Sequence, residues 1–174
     1  MGVSDVSDFE NKLPAVHAWI TAIVEEYRHV AQPVGSFGFT RLPAYFAKDT
    51  LEQAQVVIVD SVPKPPLSAL GLANFSDFET LDSDGITYQN VYFLNRARVN
   101  DESLHFHELI HVVQWSLLGG ERFLLAYALA HVSSGGYRNN PFERIAYDLQ
   151  ALFVDLPTPF QVEPLVRQHL KQIA

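Results

Sequence analysis

"HFHELIH", His105–His111, packs three histidines and one glutamate into seven residues. Its flanks decide which element carries it. "NDESLHFHELIHVVQWSLLGG" (Asn100–Gly120) opens on a capping residue with acids in its first turn and stops at a glycine pair, which spells a helix. On a helix, His107 and His111 lie about 40° apart in azimuth and about 6 Å apart along the axis, so both rings reach one point. That is the i, i+4 pair of a zinc site. Glu108 falls about 60° to the side of His111, poorly placed to ligate. It is well placed to take a proton from a water that a metal acidifies. Leu109, Ile110, Val112, Val113 and Trp115 predict that most of this helix is buried, and buried histidines need partners. His105 is about 200° from His107 and faces away, so it reads as a packing or surface histidine.

Upstream, "PAVHAWITAIVEEYRHVA" places Val16, Trp19, Ile20, Ile23, Val24, Tyr27 and Val30 on one helical stripe. Pro14 suits its first turn, although Ser7 and Glu10 have capping-box spacing for an earlier start. "QPVGSFGFTRLP" reads as loop or short strand, and "AYFAKDTLEQA" as a short helix. The β-branched run Gln55–Val62 is a strand that the prolines of "PKPP" end. Residues 67–81 read as an ordered loop and "DSDG" as a turn. "ITYQNVYFLN" is expected to be a second strand.

Downstream, "ERFLLAYALAHV" is apolar nearly all round and predicts a buried helix. "SSGGYRNN" is a loop. "PFERIAYDLQALFVD" is a helix with Asn140 as cap and Pro141 at the first position. "PLVRQHLKQI" closes the chain as a short helix. Helix, then strands, then helices argues for an α+β fold in one domain, residues 1–174. Residues 1–98 carry the long helix and small sheet, and 99–174 the helical, metal-binding part.

Composition narrows the function. The chain is long enough to bury a core without covalent staples. It has no cysteine, so a transition metal must be held by His, Asp or Glu. The net charge of −8 and the lack of a basic run argue against nucleic acid and anionic membrane surfaces as partners. No apolar stretch is long enough to span a bilayer, and the N-terminus lacks a signal-peptide pattern. A cytoplasmic place is the expectation. Oligomeric state is not legible.

A catalytic zinc needs a third protein ligand and an open fourth position. The pattern HExxHxxGxxH fails, because no Gly or His stands at the required places. Glu121, His131 and Glu143 are the candidates. Glu143 also has capping-box spacing from Asn140, a role that needs no metal. "HELIHVVQW" followed by "GYRNNPFERIAYDLQ" resembles the small gluzincin-like metallopeptidases, the minigluzincin type with a "HELxHVVQ" helix and an "NPxExxAY" helix. The resemblance spans about a third of the chain and implies a zincin-like site with an edge strand above it. It implies His107, His111 and Glu143 as Zn²⁺ ligands, one ion per chain, and Glu108 as general base. Many gluzincins place an aspartate four residues after the ligand to orient a histidine. Tyr147 stands there, which leaves Asp148. Ala146 fits a close approach of the two helices. Tyr137, Arg138 and His131 flank the loop before Glu143, and Tyr137 is the residue chosen to steady the developing oxyanion.

The expectation is a zinc peptidase acting on a peptide or protein substrate, which pairs with the edge strand "ITYQNVYFLN". The alternative is a non-catalytic protein whose zinc staples helices. A fourth protein ligand such as His131 would favour that one.

Overall fold

The computed structural model describes residues 3–173 and has an α+β fold. Its helices are α1 (Val3–Tyr27), α2 (Lys48–Gln53), α3 (Ser76–Glu79), α4 (Glu102–Leu118), α5 (Gly120–Ser134), α6 (Pro141–Asp155) and α7 (Val162–Ile173). Its strands are β1 (Gln32–Pro33), β2 (Gln55–Val59), β3 (Gly85–Tyr88) and β4 (Val91–Asn95). They form one mixed sheet in the order β1-β2-β4-β3, with β2 and β4 parallel and the other pairs antiparallel.

"ITYQNVYFLN" is a hairpin rather than one strand. Tyr88 pairs with Val91 across a two-residue turn, Gln89–Asn90, and Gln89 adopts φ 60°. A positive φ in a two-residue turn matches the twist of the flanking strands, and glycine is the usual residue there. Glutamine hid the turn in the sequence. β4 is central and buried from Val91 to Leu94, while β3 lies at the edge of the sheet.

α1 starts well before Pro14, which sits inside the helix on its exposed side. Val16 and Ile20, one turn apart, turn its buried face inward. α5 differs from its expected burial. Only Phe123, Ala128, Ala130 and His131 are buried, and Leu129 is exposed. α5 packs on α1, α4 and α6, and several of its apolar side chains are covered only in part.

α4 is the central helix. Asp101 caps it by accepting from the backbone N–H groups of Ser103 and Leu104 at 3.1 and 3.2 Å. Gly119 ends it at φ 79°. Every residue from His105 to Trp115 is buried. α4 packs on α6, where Ala146 is fully buried and lets the helices approach, and Phe106 stacks on Phe153 at 4.4 Å. Arg41 closes the far end of α6. Its guanidinium donates to the Phe153 carbonyl and lies 3.9 Å from that ring's centroid, a cation at a helix C-terminus.

Candidate metal centre

α4 and α6 bring three predicted residues together. His107 Nε2 lies 3.1 Å from His111 Nε2. Glu143 Oε2 lies 3.6 Å from His107 Nε2, and Glu143 Oε1 lies 3.5 Å from His111 Nε2. All three side chains are buried. Tetrahedral zinc with bonds near 2.0–2.1 Å spaces its ligands about 3.3 Å apart. The three separations bracket that value.

The hydrogen bonds around the histidines say which electrons face inward. Gln114 Nε2 donates to the Phe142 carbonyl at 3.0 Å, so the amide's oxygen must face His111. His111 Nδ1 therefore donates to Gln114 Oε1, at 2.8 Å. His107 Nδ1 lies 3.1 Å from Gln150 Oε1, whose Nε2 donates to Ser103 Oγ at 3.2 Å. Both neutral rings thus point Nε2 lone pairs at one spot, beside a carboxylate. Glu143 Oε2 is buried without a hydrogen-bond partner among the described residues. Three electron-rich atoms converging in a buried place need a cation. The residues fit a divalent metal with N/O ligation.

A proton is the other cation available. Burial works against a charged His111, but the Glu143 carboxylate, its hydrogen bond and then Glu108 overcome this and raise the His111 pKa to about 9. Burial also opposes a charged Glu143, and the charges and hydrogen bonds of His111 and His107 hold it well below the carboxylate range.

Glu143 does not complete a capping box. Asn140 Oδ1 accepts from the Phe142 N–H at 3.0 Å, but the Asn140 N–H bonds the Tyr137 carbonyl and the Glu143 carboxylate turns toward the histidines. Tyr127, on α5, donates to Glu143 Oε1 at 2.8 Å.

Glu108 is buried beside the three and pairs with β3. Thr87 Oγ1 lies 2.6 Å from Glu108 Oε2 and 3.2 Å from the Glu108 carbonyl. Burial raises the Glu108 pKa. The histidines and the Thr87 bond work against that rise, and Glu143 adds to it. Gly85 makes room for this side chain. A Cβ there would collide with Glu108 Oε1 and lie 2.8 Å from its Cδ.

The other residues named from the sequence stand apart from the converging three. Asp148 is exposed and orients neither histidine, because its place on α6 turns it to solvent; Gln114 and Gln150 do that work. Arg138 is exposed. His131 is not among the converging residues. Its Nε2 lies 3.0 Å from Asp77 Oδ2. Glu121 is exposed, and His105 is a packing histidine held by the Tyr92 hydroxyl and the Val99 carbonyl. Tyr137 is half-buried, with its hydroxyl 3.5 Å from that of Tyr147. Burial and the nearby Glu143 charge push its pKa up, so it keeps its proton.

A cavity of about 100 Å³ adjoins these residues. Glu108, His111, Glu143, Thr87, Tyr127 and Tyr137 lie on its wall. The sequence reading missed Thr87, Tyr127, Gln114 and Gln150. Gln114 stands three residues after His111 and Gln150 seven after Glu143, spacings that share a helix face. Nothing local marks Thr87 or Tyr127, which depend on which elements meet. Comparison of the chain with protein-family models, with curated proteins and with solved structures found no match to any of them.

Proposed function

We propose that this chain is a zinc-dependent peptidase of the HExxH type. The observation that carries the proposal is the convergence of His107 Nε2, His111 Nε2 and the Glu143 carboxylate, with Glu108 buried beside them at a cavity wall. His107, His111 and Glu143 would hold one Zn²⁺. When bound, the ion supplies a charge that acidifies water and polarises a carbonyl.

The rest is the work of the chain's own residues. Glu108 takes a proton from the attacking water and hands it to the leaving amine. Its burial makes it a stronger base than an exposed glutamate, nearer the operating pH. Thr87 fixes one carboxylate oxygen, which leaves the other for the proton. Gln114 and Gln150 hold the histidine tautomers. Tyr127 draws charge from Glu143 by its hydrogen bond. Tyr137 keeps its proton and would donate to the developing oxyanion. β3, at the sheet edge and on the cavity wall, would pair with an extended substrate. The net charge of −8 suits a peptide partner better than nucleic acid, and we assign the activity to the cytoplasm. No helix among the described residues is long and apolar enough to cross a membrane.

The test is a peptide-library screen of zinc-loaded protein against a chelated control. Wild type is expected to cleave. Glu108→Gln is expected to keep its zinc while turnover falls by roughly 10²–10⁴-fold. Equal rates for the two proteins would refute the mechanism. Zinc bound with no cleavage by either would make the ion a staple between α4 and α6.

A further inference from the structure

We propose that the cavity beside the metal centre is a subsite for a tyrosine side chain of the substrate, with the Trp115 indole N–H donating to the phenol oxygen. This names the substrate class of the peptidase reading above and rests on it.

Trp115 follows His111 by one turn on the same face of α4, about 6 Å further along the axis. That is the reach of one aromatic side chain. Both residues line the cavity. Much of the lining is apolar, with Val16 and Ile20 of α1, Tyr88 of β3, and Phe123 and Leu124 of α5, while Lys64, Glu108, His131 and Glu143 lie on it too. A charged side chain would lose much of its hydration against these apolar groups. The space of about 100 Å³ is of the order of the roughly 150 Å³ cavity that takes benzene.

The wall carries polar atoms as well. Four buried side-chain atoms lack a hydrogen-bond partner among the described residues: Ser83 Oγ, Trp115 Nε1, His131 Nδ1 and Glu143 Oε2. All four residues line this one cavity. A metal accounts for Glu143. Trp115 Nε1 is a donor with no other chemistry, and an unpaired buried N–H is costly. Trp115 is only 4% exposed and stacks on Phe123 at 4.4 Å, so its ring is held in place. The occupant therefore needs an aromatic body and an oxygen at its tip. Tyrosine has both, and phenylalanine lacks the tip.

The test uses amino-acid hydroxamates, whose metal-binding head makes affinity measurable without catalysis. Calorimetry on zinc-loaded protein compares tyrosine, phenylalanine, alanine and glutamate hydroxamates. Tyrosine is expected to bind about tenfold tighter than phenylalanine. Phenylalanine should bind at least about tenfold tighter than alanine, and glutamate weakest of all. Trp115→Phe should erase the tyrosine advantage and keep that of phenylalanine over alanine. Leu124→Trp, which fills the cavity from α5, should weaken both aromatic probes and spare alanine. It serves as the second arm should Trp115→Phe fail to fold. Equal affinities for the four probes, or a tyrosine advantage that survives Trp115→Phe, would overturn the subsite alone. Aromatic selectivity with no peptide cleaved would overturn the peptidase reading alone. A protein that takes up no zinc would overturn both.

Discussion

At the scale of single residues, Glu143 separates a ligand from a helix cap. Its carboxylate faces the Nε2 atoms of two imidazoles, and one of its oxygens has no hydrogen-bond partner among the described residues. Glu143→Gln keeps an oxygen for Tyr127 to bond but removes the charge. Zinc affinity, read by competition with a chromophoric chelator, should fall by about 100-fold or more. Unchanged affinity with a stability loss of about 1 kcal/mol would return Glu143 to capping. The convergence of His107 and His111, with Glu108 beside them, was legible because a single helix sets their spacing, and periodicity reads a single helix well. Glu143 was open to two readings from spacing alone, since Asn140 fits the cap of either. The structure divides the labour: Asn140 caps and Glu143 turns inward. The orienting amides Gln114 and Gln150 carry no signal of that role in the sequence, since a carboxylate is a common partner for such a histidine. A neutral amide offers a histidine the same acceptor without adding a charge to the centre.

At the scale of elements, β3 acts on α4 through two residues on one face of the strand. Thr87 grips the Glu108 carboxylate, and Gly85 leaves the space it occupies. Gly85→Ala should displace Glu108 and cut turnover by at least about tenfold, with zinc content unchanged. Elemental analysis and a cleavage assay on the same preparation check this. Full activity in Gly85→Ala would mean that Glu108 has freedom the packing denies it. This dependence could not be read from the chain. A strand glycine marks a close approach without saying what approaches. The hairpin was hidden for a related reason, because its turn uses Gln89 where glycine is the usual signal. Helices α4 and α6 were legible from their caps and apolar stripes. α5 is buried only in part, because apolar composition does not say how fully the neighbouring elements cover each residue.

At the scale of the whole molecule, the zinc reading has the centre couple stability to pH and to metal. In the metal-free protein, His111 has its pKa raised from 6.5 to about 9. A raised histidine contributes stability that is fully present below about pH 6.5 and lost as pH rises through about 9. Glu143 is depressed from 4.5, so its contribution is present above about pH 4.5 and lost in acid. Chelated protein should therefore melt highest between about pH 5 and 6.5, and its Tm should fall from there to pH 9. Zinc-loaded protein should melt higher throughout, by about 4 kcal/mol of stability when free zinc is 1,000 times Kd. It should also lack the alkaline decline, because the ion replaces the proton. Calorimetry across pH with and without chelator tests this, and a chelated Tm that climbs between pH 6.5 and 9 would contradict it. One feature of the scaffold bears on how such a protein would be charged with metal in the first place. Gln114 binds His111 with its oxygen and the Phe142 carbonyl with its nitrogen, and so locks one member of the cluster to the residue just before another. On the zinc reading, a newly made chain finishes folding with its chelating groups already in register. Metal capture then needs no rearrangement of the helices, and the interval between synthesis and competence is set by the wait for a zinc donor.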